Sequence, residues 1–109
     1  MSEQTEIEVT VEALKNDVSI RDSLYRLLSN EDFKVLVIEG YLKNEAVRNT
    51  KILGDANIRA NQRAFDSTID ELKAIGLLDN HFRTIEIVGN KAEEDLAAYE
   101  KMELEDDLE

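Results

Sequence analysis

Ser29-Asn30-Glu31-Asp32-Phe33-Lys34-Val35-Leu36-Val37-Ile38-Glu39-Gly40-Tyr41-Leu42 is the stretch on which the fold turns. Ser29 is a helix-capping residue type. Glu31 and Asp32 then sit where acids favour the positive end of a helix dipole. Phe33, Leu36, Val37, Gly40, Tyr41 and Val47 share one face at helical spacing, and Val35, Ile38, Leu42 and Ala46 share the other. A helix that is apolar nearly all round belongs in a centre or an interface. Gly54 follows Leu53 and suits a left-handed helix stop.

Working outward, an earlier helix is expected within residues 10–28. Ser19 and Asp22 give a capping-box-like pattern, and Ile20, Leu24, Leu27 and Leu28 give an apolar face. Residues 1–9 read as a flexible arm, with Ile7, Val9 and Val11 alternating in a strand-like period. Asp55 or Asn57 can cap a third helix whose stripe runs through Phe65, Ile69, Leu72, Ile75 and Leu78. Residues 79–90 stay open between two readings. His81 to Val88 has strand character, yet Phe82, Ile85, Ala92, Leu96 and Tyr99 continue a helical seam. If the seam breaks, Gly89-Asn90 would start a new helix. Residues 103–109 read as a frayed acidic tail. The expected fold is all-α: a helical hairpin or small helical bundle over 10–102, with flexible acidic termini. The chain has no proline, so nothing forces a helix to break.

Net charge is −12 over 109 residues, and the excess sits at the ends. Residues 1–12 carry four glutamates and no base, and residues 91–109 carry nine acids against Lys91 and Lys101. Residues 13–90 are left at −1. Such ends repel phosphate, so neither nucleic acid nor an anionic membrane is an expected direct partner. No cysteine is present, which excludes disulfides and a thiolate nucleophile. No apolar run approaches a membrane span, and no signal-peptide pattern opens the sequence.

Chemistry-bearing motifs are absent. His81 is the single histidine and has no second imidazole or thiol with which to hold a metal. The four glycines are isolated and form no phosphate loop; they read as caps or close helix-packing points. Glu31-Asp32, Glu93-Glu94-Asp95 and Asp106-Asp107 read as solvated faces, not acid–base pairs. No catalytic residue, metal site or cofactor is expected. Residues 45–78 can also be parsed as a winged-helix motif with 81–89 as the wing. Its supposed recognition helix, however, sets Asp66, Asp70 and Glu71 against Arg59, Arg63 and Lys73.

Asn30-Glu31-Asp32-Phe33-Lys34, Gly40-Tyr41-Leu42, Glu45-Ala46-Val47-Arg48, Ile69-Asp70, Ala74-Ile75-Gly76 and Phe82-Arg83-Thr84-Ile85 together resemble small acidic helical proteins of tailed bacteriophages, encoded among head and portal genes. The likeness covers about residues 28–90. It implies a non-enzymatic virion structural or head-assembly protein: a scaffold, a chaperone or a portal-associated component. Such a protein would act in the host cytoplasm during infection or in the virion. Its partners would be proteins, such as portal, coat or further copies of itself. Aromatic and arginine side chains dominate binding hot spots, which singles out Phe33, Tyr41, Arg48, Phe82 and Arg83 as partner-binding candidates. Core packing for the aromatics and surface ion pairs for the arginines are the competing roles. An acidic inhibitor of a host nuclease or polymerase is the alternative function, with a winged-helix regulator behind it.

Overall fold

The computed structural model describes residues 2–107. Every element in it is helical, and no strand occurs among the described residues. The chain is all-α. Its elements are α1 (Glu3–Leu28), α2 (Glu31–Phe33), a π-helical segment (Lys34–Glu45), α3 (Ala46–Leu53), α4 (Ala56–Arg59) and α5 (Gln62–Asp107).

Local chemistry explains each start. The Ser2 hydroxyl accepts from the Thr5 N–H at 3.2 Å, and Glu3 and Glu6 lie in the first turn of α1. Residues 3–9, expected as a flexible arm, are helical from Glu3, where a cap and two acids start α1. Asn30, one residue beyond the expected Ser29, caps α2 by accepting from the Phe33 N–H at 2.9 Å. Asp55 accepts from the Asn57 N–H at 2.7 Å to open α4, and Asn61 from the Ala64 N–H at 3.1 Å to open α5. Gly54 ends α3 with φ −79° and ψ −11°, in the right-handed region and not the left-handed one expected. Tight bonds from Gly54 N–H to Lys51 O and from Asp55 N–H to Ile52 O close that turn instead.

The expected compact hairpin or small bundle needs correction. α5 is one unbroken helix of 46 residues, about 69 Å at 1.5 Å per residue. Residues 79–90 belong to it, so the strand reading, the fresh start at Gly89-Asn90 and the wing all fall away. A mid-helix glycine costs only about 1 kcal/mol, and the buried seam carries the helix through Gly76 and Gly89. The helix also takes in residues 103–107 of the expected frayed tail; residues 108 and 109 lie outside the described residues.

Two compact units divide the chain. Unit 1 comprises residues 1–26 and 83–109, and unit 2 residues 27–82. In unit 1, α1 runs antiparallel to the C-terminal part of α5: Arg21 meets Asn90 and Glu93, while Ile7 lies beside Tyr99 and Met102. In unit 2, Phe33 meets Phe82 and Arg48 meets Glu71, so the two arms flanking α4 are also antiparallel.

The π-helical segment decides which face of residues 33–49 is covered. Its partly buried positions are Phe33, Val37, Tyr41 and Glu45 with Lys34, Ile38, Leu42 and Ala46, ending at buried Asn49. That stripe repeats every four residues, the consequence of a wider turn with i→i+5 bonding. The two apolar faces inferred at the usual helical period merge into one, and Val35 and Leu36 are left outside.

Candidate protein-binding surfaces

Of the five candidate partner-binding residues, Phe33 and Phe82 are brought together. Their rings meet edge to face, with centroids 6.0 Å apart and planes at 69°. Both are half-buried, so this pair closes unit 2 and is core packing. Tyr41 is half-buried in the stripe of the π segment. Arg48 is exposed and donates to Glu45 Oε2 from Nη2 at 2.7 Å and from Nε at 3.0 Å, with Glu71 at 4.0 Å. The Arg48 hydrogen bond holds the Glu45 carboxyl below its ordinary range, and Glu45 raises Arg48 in return. Arg83 is exposed and falls within unit 1.

The surface that sequence reasoning did not single out is aliphatic. Among the described residues, the fully buried hydrophobic side chains are Leu24, Ile75 and Ala92. Unit 2 meanwhile exposes Leu36 at 71% and Leu77 at 70%, with Val35 and Val47 also open. The wide π turn produces part of this, because it turns Val35 and Leu36 away from the covered stripe.

Unit 1 contains a polar cluster assembled from residues far apart in sequence. The Arg21 side chain is only 8% exposed. Its Nη1 donates to Glu93 Oε2 and to Asn90 Oδ1, both at 2.9 Å, and its Nη2 donates to Asp22 Oδ1 at 3.0 Å. The guanidinium also lies 5.6 Å from the Tyr25 ring centroid. Hydrogen bonds to Glu93, then to Asp22, push its pKa above the ordinary arginine value. A Cβ added to Gly89 would collide with Arg21 Cβ and lie 2.8 Å from its Cγ and Cδ. Gly89 is thus a close-packing point, as its isolation suggested. Every donor of Arg21 faces a partner within the protein, so the cluster holds the two helices of unit 1 together.

Among the described residues, no group of three or more His, Asp or Glu side chains is placed to hold a metal ion. No described helix is long and apolar enough to cross a membrane. No family model, curated protein or solved structure matches the chain. The surface chemistry therefore stands by itself: long paired helices, exposed aliphatic side chains, and acidic ends.

Proposed function

We propose that this chain is a non-enzymatic virion or head-assembly protein of a tailed bacteriophage that binds protein partners through its exposed apolar helix faces. The observation that carries this reading is the imbalance between burial and exposure. Scattered exposed apolar residues are ordinary. A chain that buries Leu24, Ile75 and Ala92 but leaves Val35, Leu36, Val47 and Leu77 in water has apolar surface to offer a partner. Helix-on-helix docking is the recognition mode such faces support. The phage setting rests on the sequence resemblance over residues 28–90, and portal, coat or further copies of the chain are the proposed partners. The test is affinity capture of the tagged protein from infected cells, with Leu36→Glu and Leu77→Glu alongside the parent. Enrichment of particle proteins by the parent, reduced in the variants while helicity is kept, is the expected result. Enrichment of a host nuclease or polymerase instead would replace this reading with the inhibitor alternative.

A further inference from the structure

Near the chain ends, unit 1 opens a groove between α1 and α5. Ile7, Thr10 and Leu14 line one side, and Asp95, Ala98, Tyr99 and Met102 the other, around a hollow of about 440 Å³. A second hollow of about 420 Å³ shares Ile7, Tyr99 and Met102 and adds Glu3, Glu103 and Asp106. The floor is apolar and the rim is acidic.

We infer that this groove docks a basic amphipathic helix of a partner protein as a third helix beside α1 and α5. The lining residues set the length. Glu3 to Leu14 on α1 and Asp95 to Asp106 on α5 each span eleven residue steps, about 16 Å, so the trough accepts about three turns of helix. Charge selects the occupant. Glu3, Glu103 and Asp106 rim the groove. Asp95 is already paired with Lys91 at 3.2 Å, and Lys15, which lines a neighbouring hollow with Ile7 and Glu103, stands 3.8 Å from Glu12. A cationic helix would bury its apolar stripe on the floor and set its bases against the rim.

A second copy of the chain fits less well. Each copy carries a net charge of −12 and the same acidic rim. Its most basic stretch, residues 46–63, has Arg48 engaged by Glu45 and Asp55 set among its remaining bases. Phosphate-bearing partners are repelled by the rim.

The inference rests on the assembly reading only in taking the partner to be a protein, and it is tested on the purified full chain. The probe is a fluorescein-labelled model helix of about 14 residues, leucine on one face and lysine on the other. A scrambled peptide of equal composition and a glutamate-for-lysine version are the controls. The lysine helix should bind at least roughly tenfold tighter than either control and weaken as salt rises from about 50 to 300 mM. Ala98→Arg, at an exposed position, and the paired rim change Glu103→Gln/Asp106→Asn should each weaken it at least roughly tenfold with helicity unchanged. Equal binding of the scrambled peptide, no binding, or indifference to Ala98→Arg overturns the inference. So does sedimentation showing a dimer that Ala98→Arg dissociates, because the groove would then be filled by a second copy. If the probe fails while particle proteins are still captured, only the groove assignment falls. If the probe binds and capture yields no particle protein, only the assembly reading falls.

Discussion

Unit 1 and unit 2 close their helix pairs by different chemistry. In unit 2 the contact is made by shape: Ile75 is buried and Phe33 packs edge-on against Phe82. Its buried polar groups satisfy themselves locally, with Asn49 Nδ2 donating to Glu45 O and Thr68 Oγ1 to Ala64 O. Unit 1 buries Leu24 and Ala92 and adds a polar clamp. Arg21 lies along Gly89 and ends on Asn90 and Glu93. Aliphatic packing tolerates small shifts, whereas a guanidinium fork meets its acceptors at fixed angles. Register in unit 1 is thus set by directed hydrogen bonds, and the covered stripe of unit 2 by the wide turn of the π segment. The same wide turn leaves Val35 and Leu36 exposed.

The sharpest way to break the comparison is Asn49→Asp. The change places a carboxylate at a position only 2% exposed and removes the donor to Glu45 O, with an expected loss of about 3 kcal/mol. Hydrogen exchange should rise throughout unit 2 peptides and little in unit 1; an equal rise in both would show the two units to unfold as one. The matching change in unit 1 is Gly89→Ala. Alanine favours helix by about 1 kcal/mol, but its methyl group collides with Arg21, so a net loss of about 2 kcal/mol is expected in urea unfolding. A gain in stability would mean that the Arg21 clamp does not hold this packing in solution.

These two sites also show what a single sequence can and cannot give. The positions of the α5 seam were readable, since Phe65, Ile69, Leu72, Ile75, Phe82, Ile85, Ala92, Leu96 and Tyr99 are all at least partly buried, but its continuity through 79–90 was left open between helix and strand. Gly89 was read with the other glycines as a cap or a close-packing point, or as the start of a new helix, and only the close packing holds. Arg21 was not readable, because nothing local links it to a glycine 68 positions away. Residues 33–47 were misassigned to two faces because a period assumed from ordinary helices does not hold in a π segment. The groove near the chain ends was hidden by reading residues 1–9 as a flexible arm, when Ser2 and two glutamates start a helix there. Of the hot-spot candidates, Phe33, Tyr41 and Phe82 are half-buried and Arg48 and Arg83 exposed, and the exposed aliphatic residues Val35, Leu36, Val47 and Leu77 were not singled out.

Two further glycine changes sharpen the contrast at smaller scale. A Cβ on Gly40 would sit 2.8 Å from Val35 O, five residues back, a contact created by the π turn. Nothing lies within 4 Å of a Cβ on Gly76. Gly76→Ala should therefore stabilise the protein by about 0.5–1 kcal/mol. Gly40→Ala should lower the thermal midpoint despite the same gain in helix propensity. If both changes raise it, residues 34–45 relax to an ordinary helix in solution, and Val35 and Leu36 return to the covered stripe.

The smallest expected effect tests the electrostatics of unit 2. The Arg48 hydrogen bond lowers the Glu45 carboxyl below its ordinary value of 4.5, so the pair stabilises the fold only while that carboxylate is charged. The contribution is fully present above the unfolded value and is lost as pH falls through the lowered folded value. Both side chains are substantially exposed and stand three residues apart on one helix turn, a geometry of modest worth that salt screens. Glu45→Gln should therefore lower the thermal midpoint slightly at pH 7 and low salt. The difference from the parent should shrink when salt is added and vanish once the pH is well below 4.5. A gap that persists in acid would show that the Glu45 side chain acts through packing in the π-segment stripe and not through its charge.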